Sequence, residues 1–292
     1  MLTKRKILLL LSPFYVFFLL FFVSAIVKSF VTSFGYYPLM GMKNFNLHYY
    51  FEAFKMQSFL KIFERTFLFA LFSAALACFI GMCLALLFDK RNDNISKSFF
   101  KIAQLPVMLP HIFIVLALLQ LISQTGLIPS LLLKLGIISK DTNFPLLVND
   151  PFQIGIILTY LWKEIPFVIV SLVLVLRQLD NRYRLVAKNL GASTWQTFWH
   201  IYLPLIQPAL MNAFIINFSF NFGSYEVPYL LGSQRQELLP VYIYDLYVQG
   251  DFSQLPLVMS LNLILSLFAI AFAGLIIFIS HHISGGHNGG VK

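Results

Sequence analysis

The chain alternates between long apolar runs and short polar ones. Six apolar runs lie near residues 7–30, 62–88, 99–124, 152–176, 206–232 and 256–280. Each approaches or exceeds the ~20 residues that a helix needs to cross a hydrocarbon core. The pattern therefore predicts an all-α membrane protein with six transmembrane helices. The first run follows Lys4-Arg5-Lys6, as in a signal peptide. It is longer than the ~7–15 residues of such a peptide's apolar region, and no small-residue cleavage site follows, so it reads as a retained anchor.

One polar segment stands out, VAKNLGASTWQTFWHIYLP, from Val186 to Pro204 between the fourth and fifth runs. Asp180 to Asn189 has helical spacing, with Leu179, Tyr183, Val186 and Ala187 on one side. Gly191 permits a turn that side chains obstruct. Residues 192–200 then carry Ala192, Trp195, Phe198 and Trp199 on one helical face. Pro204 is expected to end that piece before the fifth span begins. By periodicity alone, the segment is either an anchor on the membrane surface or a docking element for another protein.

Composition agrees with lipid as the solvent. Of 292 residues, 59% are hydrophobic and 11% charged, with a mean hydropathy of +0.79; soluble domains are usually about 45–50% apolar and about 25% charged. The net charge of +9 does not imply nucleic acid, because the basic residues fall in short runs rather than one patch. Lys90, Arg91, Lys97 and Lys101 separate spans two and three, and Arg177, Arg182, Arg184 and Lys188 separate four and five. The opposite loops hold Lys43, Lys55, Lys134, Lys140 and Arg235 over greater lengths. The positive-inside rule then puts both termini and the Val186–Pro204 segment in the cytoplasm. Cys78 and Cys83 sit on different helical faces and read as packing residues. The Gly-rich ending holds His281, His282 and His287 without acidic or Cys partners for a metal.

The spacing of Gly191, nine residues, then Ile201-x-Leu203-Pro204 resembles the motif E-A-A-x-x-G-x9-I-x-L-P of membrane subunits of type I, binding-protein-dependent ABC importers. Ala187, Gly191, Ile201, Leu203 and Pro204 match, whereas Val186 replaces the glutamate and Lys188 the second alanine. RTFLFALFSAALACFIGMCLALLF, QLPVMLPHIFIVLALL, WKEIPFVIV and FGSYEVPYLLG extend the likeness over roughly residues 60–280. The resemblance implies an anchor and first outer loop over 1–60, a permease domain over 61–281 and a flexible tail over 282–292. It implies ATPase coupling through Ala187, Lys188, Gly191, Ala192, Trp195, Phe198, Ile201, Leu203 and Pro204. The implied partners are two cytoplasmic ABC ATPase subunits, a related but different second permease, and an extracytoplasmic substrate-binding protein, in a bacterial inner membrane. The chain has no G-x-x-x-x-G-K-[ST] loop. It is thus read as no enzyme and as holding no cofactor; ATP and Mg would be bound by the partner ATPase.

Ionisable groups at membrane depth are candidates for function by default. Lys163 and Glu164 fall within span four, where Pro166 is expected to loosen the helix. Asn217, Asn221 and Ser224 form a stripe in span five, followed by Tyr225 and Glu226, with Gly223 and Pro228 expected to interrupt the helix. These residues read either as a wall of the translocation pathway or as partners in interhelical hydrogen bonds. WKEIPF and FGSYEVPYLLG look most like the spermidine/putrescine permease group, whose relatives handle ferric iron, thiamine, sulfate or phosphonates, and the two glutamates lean the substrate toward a polyamine. A secondary transporter driven by an ion gradient is the alternative. His111 and His48 lack the neighbours of a metalloenzyme site.

Overall fold

The computed structural model describes residues 4–89, 94–140, 143–177, 185–187 and 189–285. Its helices are α1 (Lys4–Phe17), α2 (Ser24–Ser33), α3 (His48–Lys55), α4 (Phe59–Asp89), α5 (Asn94–Met108), α6 (His111–Ile122) and α7 (Leu127–Lys134). There follow α8 (Ile154–Leu176), α9 (Thr194–Thr197), α10 (Leu203–Gly223), α11 (Glu226–Leu231), α12 (Leu239–Gln249) and α13 (Leu255–Gly285). Among the described residues, six helical stretches are long and apolar enough to cross a membrane: Leu9–Ser33, Phe59–Leu87, His111–Lys134, Ile154–Leu176, Thr194–Gly223 and Phe252–Ser280. Helices suit that solvent because they satisfy their own backbone groups.

The chain forms two compact units, Met1–Lys61 with Tyr242–Phe268, and Ile62–Val241 with Ala269–Lys292. In the first, a π-helical turn (Phe18–Val23) joins α1 to α2, and Phe18 to Phe22 in it are exposed. Gly35, at φ +83°, folds the chain back; a Cβ there would meet the Asn46 and Tyr49 side chains at 2.9 Å. The turn brings the Ser33 and Tyr50 hydroxyls within 2.7 Å.

In the second unit, α4 presents Ala70, Ala74, Ala77, Gly81 and Ala85 along its buried side. In lipid, helices associate through close packing of small residues, since the tails are as apolar as leucine. A Cβ on Gly81 would lie 2.7 Å from Val168 of α8. Val168, Leu172 and Leu176 continue that core toward Ile206 and Ala213 of α10. A second core gathers Phe69, Val115, Ile156, Tyr160, Val227 and Leu231. The buried Asp150 caps α8, accepting from the Ile154 and Gly155 amides at 2.8 and 3.4 Å. Gln153, in the left-handed region at φ +58°, donates to the Gln236 carbonyl at 2.7 Å and fixes the entry of that span.

Three expectations change. The single span over 99–124 is two helices, α5 and α6, interrupted at Leu109 and Pro110. A residue before proline is disfavoured in the α region, and Pro110 itself is extended at ψ 145°. Pro204 does not end the aromatic piece. Helical backbone runs unbroken from Thr194 to Gly223 through a π-helical turn, Phe198–Tyr202, in which the Leu203 amide reaches back five residues to Phe198. In a regular α-helix the proline ring strikes the carbonyl four residues earlier; the wider turn immediately before Pro204 gives it room. Pro166 and Pro208 likewise lie inside continuous helices; the helix does end at Gly223, as expected, and Pro228 lies inside α11, which starts at Glu226. Finally, α13 runs to Gly285, past the tail boundary expected at 281.

The α4–α8 contact makes a measurable claim. Gly81→Leu should lower stability by about 1–3 kcal/mol through overpacking. Thermal unfolding of the detergent-purified protein should show a lowered Tm for this variant and not for Gly274→Leu, whose Cβ would meet nothing within 4 Å.

Candidate functional site

The polar segment before span five is built from two backbone devices. Leu185–Ala187 and Asn189 are helical, and the Ala192 amide donates to the Ala187 carbonyl at 3.0 Å across Gly191. That bond, with Gly191 at φ +78°, is a Schellman ending. A Cβ on Gly191 would meet nothing within 4 Å, so the glycine serves the backbone conformation rather than a close approach. Ser193 then opens the next helix with a capping box: its hydroxyl accepts from the Gln196 amide at 3.2 Å, while Gln196 Oε1 accepts from the Ser193 amide at 2.8 Å. One helix is thus stopped and another started within a few residues.

The result is an aromatic face. Trp195 packs against Phe198 and Trp199 with ring centroids 6.1 and 5.5 Å apart, and Trp195 remains 68% exposed. Leu185, Val186 and Leu190 are exposed beside the turn, whereas Ala187 is buried. Ala192, Phe198, Ile201, Leu203 and Pro204 are half-buried. Lys188 lies outside the described residues.

The membrane-embedded polar residues separate into two groups. Glu164 of α8 and Asn217 and Asn221 of α10 are sealed within the bundle, at 4%, 3% and 0% exposure. The Asn221 side chain is within reach of the Glu164 carboxyl. Yet Glu164, the Asn221 amide, Asn217 Nδ2, Tyr160 Oη and Ser73 Oγ make no hydrogen bond of ordinary geometry. Such buried groups are rare in folded proteins.

The other group is more open. Lys163 Nζ donates to the Leu109 carbonyl at 2.7 Å, the acceptor released between α5 and α6, and lies 2.9 Å from His111 Nδ1. An ammonium only donates, so Nδ1 accepts and the imidazole proton resides on Nε2. The His111 ring stacks on Phe220 with centroids 3.9 Å apart, and Phe220 meets Tyr160 edge to face. Glu226, half-buried at the start of α11, acts on Lys163 through space, with Tyr225 exposed beside it. Sequence reasoning weighed His111 only as a metal ligand and missed Phe220 and Tyr160. The signal for His111 was its place directly after Pro110, at the depth where Lys163 needs an acceptor.

Comparison with known proteins agrees with this architecture. Residues 77–284 match the family model described as binding-protein-dependent transport system inner membrane component. A probable sulfate transport system permease protein of Chlorokybus atmophyticus is 27% identical over 208 residues, 70% of this chain and 69% of that protein. A molybdenum transport system permease protein of Mycobacterium tuberculosis is 24% identical over 178 residues, 61% of this chain and 63% of that one. The likeness to the spermidine/putrescine transport system permease of Haemophilus influenzae is shorter, 29% over 110 residues, 38% of this chain and 37% of that one. In fold, the chain superposes on a bacterial ABC transporter involved in alginate import with a TM-score of 0.77, covering 96% of this chain and 97% of that one at 19% identity. The chain belongs to the family of inner membrane components of binding-protein-dependent transport systems.

Proposed function

We propose that this chain forms half of a translocation pathway and receives the force of ATP hydrolysis through the turn at Gly191 and the aromatic face behind it. The carrying observation is the pairing of the Schellman ending with the capping box at Ser193, which holds Trp195 and Trp199 exposed, with Phe198 half-buried beside them. A water-soluble ATPase docks there, on the cytoplasmic side. Ala187, Lys188, Gly191, Ala192, Trp195, Phe198, Ile201, Leu203 and Pro204 supply the contact face and its support. With Val186 in the glutamate position, the grip is largely apolar. Two ATPase subunits bind ATP and Mg and draw together; this chain's residues hold neither.

Because the helix from Thr194 to Gly223 is continuous, displacement of the aromatic face is passed along span five. Switching between inward-open and outward-open states then follows from the ATPase binding the two states with different affinity. A second permease, related to this one, completes the pathway, and an extracytoplasmic binding protein delivers the solute. Lys163, Tyr225 and Glu226 face that pathway. Glu164, Asn217 and Asn221 stand behind them and become available as α8 and α10 shift. The solute is small and hydrophilic: the relatives named above include sulfate, molybdenum and polyamine permeases.

Co-purification from native membranes should bring down an ATPase subunit and a second permease. Trp195→Asp should reduce transport-coupled ATP hydrolysis about tenfold, the loss of one buried aromatic anchor. Uptake driven by an ion gradient without ATP would overturn the reading.

Gly191→Ala should cost about 1–2 kcal/mol by forcing a side chain into the left-handed region, and Ser193→Ala about 1 kcal/mol through the lost cap. Faster amide exchange across residues 189–199 is the expected sign in each variant.

A further inference from the structure

Lys163 occupies the middle of α8, where a cation needs a partner. Its close partners are neutral, the Leu109 carbonyl and the His111 imidazole. Glu226 acts on it only at longer range. Neutral partners satisfy the ammonium's hydrogen bonds without cancelling its charge, and that charge is felt strongly at low dielectric. The adjacent carboxylate, Glu164, points elsewhere, because neighbouring residues on a helix diverge by about 100°. Glu164 is sealed among helices, whereas Lys163 is half-buried and reachable.

Lys163 and His111 together therefore present donors. The ammonium has a third N–H, and the Lys163 contact at Nδ1 leaves His111 Nε2–H as a further donor. Phe220, stacked on the imidazole, holds that ring in place. We propose that Lys163 and His111 form the charge-selecting contact of the pathway, and that the solute is a small divalent oxyanion of the sulfate or molybdate kind. This rests on the reading of the chain as a coupled permease. Its basis is the sign of charge at the contact: a polyamine passing Lys163 would meet like charge, whereas an oxyanion would meet opposite charge. Glu226 nearby keeps the contact shallow, as transit requires a site that is entered readily and left readily.

The test uses the complete importer, with its second permease, ATPase and binding protein, reconstituted in vesicles and offered labelled sulfate, molybdate or spermidine. The wild-type importer should take up an oxyanion and exclude spermidine. Lys163→Gln should lower oxyanion uptake per ATP hydrolysed about tenfold, the scale of one lost charge-assisted contact. Lys163→Arg should stay within a few-fold of wild type. A latch with no role in selection would lower uptake and hydrolysis together, leaving their ratio unchanged, and that outcome overturns the proposal. Spermidine uptake by the wild type without oxyanion uptake overturns it equally, and needs no variant to fold. If Lys163→Gln fails to assemble, His111→Leu against His111→Gln provides the same ratio test, with only Gln able to supply both an acceptor and a donor. Failure of any ATPase to co-purify would instead remove the coupled-permease reading beneath it.

Discussion

A carbonyl released inside a membrane must find a donor, and the structure depends on how this one does. Between α5 and α6, at Leu109 and Pro110, the freed Leu109 carbonyl accepts a hydrogen bond from Lys163 Nζ at 2.7 Å. Lipid offers no water to do the same, and an unsatisfied group there costs several kcal/mol. The break can therefore exist only where another helix brings a donor. Lys163 in turn can sit at that depth because the break supplies an acceptor. Each of two expensive features is tolerable through the other, and α6 is positioned on α8 as a consequence.

The same reasoning separates the polar residues by what surrounds them. Glu164, Asn217 and Asn221 are enclosed by the small-residue packing that draws α4, α8 and α10 together. Close packing leaves little room for reorientation, so their unsatisfied atoms are held rather than relaxed. Lys163, Tyr225 and Glu226 lie where packing is looser. The division follows from helix geometry: residues 163 and 164 are neighbours in sequence and face different surroundings.

Hydropathy alone revealed that six segments cross the membrane, because length and apolarity are one-dimensional properties. The turn at Gly191 was legible too, since a positive φ restricts the residue type sharply. The break at Leu109 was not: a window average over 99–124 does not register a single extended proline. Pro204 misled because the rule for proline presumes an α-helix, and nothing local announces a π-helical turn at Phe198–Tyr202. The stripe of Asn217 and Asn221 was visible at helical spacing, but its enclosure depends on which face α8 turns toward it. Lys163's partners come from residues 109 and 111, too distant in sequence for periodicity to pair them.

The π-helical turn carries one more implication. A regular α-helix advances about 100° per residue, and a π turn accommodates one residue more than the regular ladder requires. The angular phase between the exposed tryptophans and the enclosed asparagines of span five is thus set by a single residue's worth of winding. Were that turn to tighten into α-helix during a transport cycle, the two ends would rotate against each other with no hinge opening between them. A rod of this kind can transmit torque as well as push.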